Sequence, residues 1–237
     1  MAFNFSPKTV TEGLVLALDA ANPRSYVSGS TVWRDLTANN YSGSLVNGPT
    51  FNSSNGGSIG FDGANDYADL PNIGVSNLSQ FSVSFWAKKS SATANSTVYS
   101  EGTPASWPGN LFVFYFGTSE NSGKCRVYFG YPNSSPDQGS VLIGTTNVAN
   151  GNWYYVTYNQ TNTSNRKLYV NTIVEATNTT NIISTATNSY IGTNNNKGTL
   201  AQFGNMNLAN LTCYNRSLSD SEILQNYNAL KGRFGLT

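Results

Sequence analysis

The segment Phe61-Asp-Gly-Ala-Asn-Asp-Tyr-Ala-Asp69 holds the densest group of ligating oxygens in the chain. Asp62, Asn65, Asp66 and Asp69 are hard oxygen donors of the kind that hold Ca²⁺, so calcium is the one cofactor the residues suggest. The D-x-D-x-D-G regularity of a dedicated calcium loop is missing. The alternative is a hairpin in which Asp62-Gly63 makes the turn and the other polar groups cap backbone N–H groups. A second candidate is Trp107, in the loop Pro104-Ala-Ser-Trp-Pro-Gly-Asn110. An indole on a loop stiffened by two prolines is a stacking platform for a sugar ring, with Asn110 or Glu101 close in sequence to bond hydroxyls. The plain alternative folds that Trp onto the edge of the fold. Tyr131, in Gly130-Tyr-Pro-Asn, is a further ring of this kind. Trp86 and Trp153 interrupt strand patterns, so they are expected in the core.

Catalytic chemistry is poorly supplied. The chain has no His, which excludes Ser-His-Asp and Cys-His mechanisms. The 13 basic residues are scattered at a net charge of +1, leaving no stripe to follow a phosphate backbone, so nucleic acid is excluded as a partner. No run approaches the roughly 18 apolar residues that cross a bilayer, so no membrane partner is expected. The opening Met-Ala-Phe-Asn-Phe-Ser-Pro-Lys lacks the charged and apolar regions of a secretion signal. Cys125 and Cys213 read as two reduced thiols packed on strands, with a disulfide as the alternative.

Charged residues make up only 11% of the sequence, so Asn, Ser, Thr and Gly must carry solubility, and these are turn and strand residues. With 14 Tyr, 12 Phe and 4 Trp the chain can still bury a large core, which argues against disorder. Short strand patterns recur between turns, among them the alternating Phe81-Ser-Val-Ser-Phe-Trp-Ala87 and the apolar Leu111–Gly117. Lys167–Asn171 followed by Thr172-Ile-Val-Glu predicts a hairpin bending at Asn171-Thr172. The apolar phase slips between Leu208 and Leu211, which predicts a bulge near Ala209–Asn210. Residues 161–165 and 194–197 are expected as loops.

One helix closes the pattern. Ser219 and Glu222 have capping-box spacing, Leu218 and Ile223 form the matching staple, and Ile223, Tyr227 and Leu230 make an apolar face. Gly232 is the expected stop. The expected fold is all-β, an antiparallel jelly-roll sandwich with one short C-terminal helix. Residues 1–12 form an N-terminal arm, either an attachment device or a frayed end, and residues 13–237 form one domain.

Several motifs occur in order: G-L-V-L-A-L-D-A-A-N-P-R-S-Y at 13–26, W-R-D-L at 33–36, N-G-P-T-F-N at 47–52, G-G-S-I-G-F-D-G-A-N-D-Y at 56–67, V-S-F-W-A-K at 83–88, G-N-W-Y-Y-V at 151–156, K-L-Y-V-N at 167–171 and the Y-N-R-S-L-S-D-S-E-I tail. Together they resemble concanavalin A-like, laminin-G-type jelly-roll domains. The opening, combined with the ending Q-N-Y-N-A-L-K-G-R-F-G, is similar to versions in virion structural proteins of tailed bacteriophages, notably marine and cyanobacterial ones.

That resemblance implies a non-enzymatic virion structural protein, a decoration of head or tail with a lectin-like domain that adheres to glycans. Its partners would be other capsid or tail proteins, host-surface glycans and copies of itself as a homo-oligomer. Its location would be the virion, assembled in the host cytoplasm. A free carbohydrate-binding adhesin or lectin is the first alternative, and a polysaccharide hydrolase the second. Glucanases of the resembled superfamily carry an E-x-D-x-x-E or E-x-D-x-E strand pattern. Here the nearest approach is Asp220-Ser-Glu222, at the helix start, where acids meet the macrodipole favourably.

Overall fold

A computed structural model describes residues 8–92, 96–103, 112–118, 121–129, 140–181, 184–196 and 198–237. The first eight strands are β1 (Leu14–Asp19), β2 (Val32–Trp33), β3 (Gly43–Val46), β4 (Thr50–Asn52), β5 (Ser58–Asp62), β6 (Tyr67–Leu70), β7 (Phe81–Lys88) and β8 (Thr97–Gly102). Next come β9 (Phe112–Thr118), β10 (Lys124–Phe129), β11 (Ser140–Asn147), β12 (Trp153–Asn162) and β13 (Asn165–Val170). The last are β14 (Ile173–Asn178), β15 (Asn188–Ile191), β16 (Asn194–Asn196), β17 (Thr199–Ala201) and β18 (Asn205–Tyr214), before helix α1 (Asp220–Leu230).

Two antiparallel sheets make the expected sandwich. The first runs β14-β13-β12-β7-β18-β5-β4, with β1 also on β18; the second runs β11-β10-β9-β8-β15-β6-β3-β2. Strand alternation sends Phe81, Val83, Phe85 and Ala87 of β7 inward to meet Phe112, Phe114 and Phe116 of β9. Their rings meet edge to face, Phe85 with Phe114 at 4.8 Å and Phe81 with Phe112 at 5.4 Å, an arrangement aromatic quadrupoles favour. Cys125 and Cys213 are buried in the same core as free thiols, and burial pushes both up in pKa.

The hairpin at Asn171-Thr172 forms as expected, with φ of 45° and 74°, the left-handed pair a two-residue turn requires. The bulge also falls where the phase slips, between Leu208 and Asn210. There the Asn210 side chain accepts the Trp86 N–H at 2.9 Å, in place of a ladder partner. The loop expected at 194–197 is corrected: Asn194–Asn196 is β16, paired with β17. The segment at 161–165 is shorter than expected, because β12 runs to Asn162 and β13 begins at Asn165.

The long strands β11 and β14, each the last of its sheet, are joined by a side chain. Glu175 of β14 accepts the Thr145 N–H at 2.8 Å, the Thr146 N–H at 3.1 Å and the Thr146 hydroxyl. A Cβ on Gly144 would lie 2.7 Å from that carboxylate, so the clamp needs glycine there.

The outer side of β7 is covered too. Trp86, fully buried, stacks on Phe234 at 4.4 Å and on Tyr227 at 5.4 Å. Trp153 joins this outer cluster half-buried, 4.7 Å from Phe234, so it packs under the C-terminal turn and not between the sheets. The capping box of Ser219 and Glu222 is present, and Leu218 and Ile223 are both buried. The expected stop at Gly232 moves. The chain continues as a 3-10 turn, Lys231–Phe234, so that Phe234 reaches Trp86, and the left-handed residue is Gly235 at φ 72°.

The described part of the arm is held down. Asn226 accepts the Val10 N–H at 2.8 Å and donates to the Tyr214 hydroxyl at 3.0 Å, which donates to the Val10 carbonyl at 3.0 Å.

Two stability effects follow from these contacts. Asn226→Ala leaves the buried Val10 N–H unsatisfied and should cost about 1–3 kcal/mol, read as a lower urea midpoint at constant slope. Arg216 grips Glu222 through bonds of 2.9 and 2.6 Å and holds its carboxyl down at about 2. A depressed folded pKa stabilises above the ordinary value of 4.5, and that contribution is lost as pH falls from there toward 2. Glu222→Gln should therefore show a flatter loss of stability across that window.

Candidate functional site

In an antiparallel ladder, directly opposed residues share a face. On the outer face of the second sheet one such row crosses seven strands: Ser44, Asp69, Tyr190, Ser100, Val113, Tyr128 and Val141. At about 4.8 Å per strand the row is roughly 29 Å long, enough for several sugar rings end to end. Its two halves differ. Around β9 and β10, Val113, Tyr115 and Tyr128 are buried, and the Tyr115 hydroxyl and the Asn194 amide both donate to Gln202 Oε1. The Arg126 guanidinium lies 6.0 Å from the Tyr128 ring.

The half over β3, β6 and β15 is open. Ser44 and Asp69 are exposed, while Tyr67 and Tyr190 are partly exposed. Their rings meet edge to face at 6.3 Å, with Phe203 6.5 Å beyond Tyr67. Asn188 donates to the Tyr190 hydroxyl at 3.2 Å. Partial burial raises the Asp69 pKa. Rings offer a stacking surface to sugar C–H groups, and a carboxylate among them accepts hydroxyl hydrogens.

The four residues expected to ligate a metal do not come together as one set. Asp62 ends β5 in the first sheet, whereas Asp69 sits on β6 in the second, and the short loop between them crosses from sheet to sheet. It is therefore not a hairpin turn either. Asp62 Oδ1 accepts the N–H groups of Ala64 at 2.7 Å and Asn65 at 3.4 Å, while Asp66 Oδ2 accepts the Asp62 N–H at 3.1 Å. Asn65 contributes its backbone carbonyl to the Asn47 amide. Burial, and then the nearby Asp62 charge, raise the Asp66 pKa against that one backbone bond. Among the described residues no group of three His, Cys, Asp or Glu is placed to hold a metal ion.

Trp107, Asn110 and Tyr131, the expected glycan contacts, lie outside the described residues. Glu101, expected to assist Trp107, is corrected. It is buried, accepting the N–H groups of Val75 at 3.1 Å and Ser76 at 2.7 Å and the Tyr99 hydroxyl at 2.5 Å. It fastens the loop before β7, and burial raises its pKa. Tyr67 and Tyr190 were missed as site residues. The period of two in Tyr67-Ala-Asp-Leu70 could have placed Tyr67 with Asp69, but nothing local places Tyr190 beside them.

A family model described as the concanavalin A-like lectin/glucanases superfamily matches residues 62–224. No curated protein matches the chain. Among solved structures, the chain is similar to domain 4 of AbnA, a GH43 extracellular arabinanase from Geobacillus stearothermophilus, in complex with arabinotriose. That likeness has 16% identity and a TM-score of 0.66, covering 90% of this chain and 98% of that one. It is also similar to the binding domain of botulinum neurotoxin DC in complex with SialylT, at 15% identity and TM-score 0.68, covering 92% of this chain and 51% of that one. Trypanosoma rangeli sialidase is a third, at 17% identity and TM-score 0.67, covering 95% and 34%. The chain thus spans nearly all of the arabinanase domain but only half and a third of the other two. Identities this low show a shared fold.

Because Asp69 lies in the other sheet and the described residues place no three carboxylates together, thermal unfolding should give the same Tm in calcium and in chelator.

Proposed function

Because this chain belongs to the concanavalin A-like lectin/glucanase superfamily, we propose that it is a glycan-binding protein without catalytic activity that decorates the head or tail of a phage particle. The observation carrying the glycan reading is the open half of the second sheet, where Tyr67 and Tyr190 stand beside Asp69. The arabinotriose on the arabinanase domain and the SialylT on the neurotoxin domain support it, since both proteins share this fold.

The non-catalytic reading rests on what glycoside hydrolysis needs, two carboxyl groups flanking the scissile bond. Among the described residues, Asp69 is the one carboxylate on the outward side of this face's strands, because Glu101 points inward. The phage reading rests on the wording of the opening and closing motifs. These segments lie side by side, since β1 pairs with β18 directly before the capped helix. The partners are then other virion proteins, host-surface glycans and further copies of the chain, and its location is the virion.

Tyr190→Ala and Asp69→Asn should each weaken oligosaccharide binding about tenfold by calorimetry, the effect of losing about 1.4 kcal/mol of contact, with folding intact. Binding that depends on the Asp69 carboxylate should fade on acidification at a pH above the ordinary aspartate value of 3.8, because its pKa is raised. Sugar release lost with Asp69→Asn would instead identify a hydrolase. Mass spectrometry of purified particles should find the chain, and a binder absent from particles would be a free lectin.

A further inference from the structure

The first sheet has a face of its own. Helix α1 and the turn after it cover Trp86, Tyr155 and Tyr214, but the row of Lys88, Asn207, Gly60 and Thr50 continues beyond that cover to the β4 edge. Gly60 makes a notch in the row. A Cβ there would lie 3.0 Å from Thr50 Oγ1 and 3.3 Å from Asn207 Oδ1, so the floor is bare backbone between two polar walls. The notch opens into a cleft of about 320 Å³ lined also by Asn47, Asp62, Asp66 and Asn205, within the roughly 300–1,000 Å³ of small-molecule sites.

The lining is polar, with carboxylate oxygens set among amide groups. Asp66 is only 4% exposed; one of its oxygens takes the Asp62 N–H, and the other makes no hydrogen bond among the described residues. The amides of Asn47 and Asn205 each spend one of two N–H groups on the Asn65 and Asp62 carbonyls, at 2.8 and 3.0 Å, and their side-chain oxygens make no hydrogen bond among the described residues. Carboxylate and amide oxygens thus line the cleft beside the remaining amide N–H groups and the Thr50 hydroxyl, a mixture that suits sugar hydroxyls, which both donate and accept. Two carboxylates, with only Lys88 in the adjoining position of the row, disfavour an anionic ligand.

A second hollow of about 490 Å³ shares Asn47, Gly48 and Thr50 with the first. It adds the paired rings of Tyr26 and Phe51, 5.3 Å apart. A polar notch beside the partly exposed Phe51 ring, which the buried Tyr26 backs, is the combination that holds a saccharide by its hydroxyls and its C–H face together.

We infer that this edge cleft is a second saccharide site, selective for neutral over acidic sugars, which makes the protein bivalent through opposite sheets. It shares a ligand class with the site on the second sheet but none of its residues, so the two fail separately. The test is an NMR titration with arabinotriose, maltotriose, lactose and sialyllactose, following backbone amides in the wild type, Tyr190→Ala, Gly60→Val and Asn207→Ala. At least one neutral sugar should shift the signals of Gly60, Asp66 and Asn207 in the wild type and in Tyr190→Ala. Gly60→Val fills the notch and Asn207→Ala removes a wall, and each should weaken that response at least tenfold. Should Gly60→Val not fold, Asn207→Ala, altering a partly exposed side chain, gives the same reading. Sialyllactose should bind there at least tenfold more weakly than the best neutral sugar. No shift at these amides from any neutral sugar overturns the inference, as does equal response to sialyllactose or an unchanged response in Asn207→Ala. Shifts at these amides with none around Asp69 would instead count against the site on the second sheet.

Discussion

Trp86 lies on the side of β7 that faces away from the main core, and keeping its indole from water is the requirement around which the first sheet is arranged. A strand buried on both sides, as β7 is from Phe81 to Ala87, must be central and must be covered twice. The second sheet supplies one cover. The other is assembled from distant parts of the chain: Phe234 and Tyr227 stack on the indole, and Val10 is tied in through Asn226. Because that cover spans only part of the sheet, the strip from Lys88 to Thr50 stays bare. Ligand-binding surface on this sheet is what the aromatic cover leaves over.

Buried amides and hydroxyls do much of the joining that charged pairs do elsewhere. Asn159 accepts from Ser82 and from the Leu218 N–H, fastening the helix entrance to β7 and β12. Arg233 pairs with Asp19 at 2.8 Å and bonds the Asn55 and Gly57 carbonyls, locking the last turn against the start of β5. Such bonds are directional, and each leaves a costly orphan if broken. This is consistent with a chain that is poor in charge but well supplied with Asn and Ser.

What could be read in advance was what short-range rules govern. The capping box needs only Ser219 and Glu222 three residues apart, the hairpin at Asn171-Thr172 only its neighbours, and the bulge only a slip of phase. Errors arose where the partner across the sheet decides and residue type does not. Three asparagines have little strand preference, yet Asn194–Asn196 pairs because β17 lies beside it. Asp62 and Asp69 look like neighbours, but sequence does not say that the chain changes sheets between them. Glu101 looks like a loop-side acid until the alternation that turns Tyr99 inward is seen to turn it inward as well. Tyr190 meets Tyr67 only because β15 pairs with β6.

The clamp of Glu175 on β11 bears on what this fold can be joined to. A terminal strand with free N–H groups is an invitation to any other extended chain, and long flat edges are how soluble sandwiches begin to aggregate. At Thr145 and Thr146 a single carboxylate answers that invitation from within, while the terminal strands on the opposite side, β2 and β4, are too short to template much. The acid is therefore less a brace than a guard: it occupies the N–H groups of Thr145 and Thr146 with which another extended chain would pair.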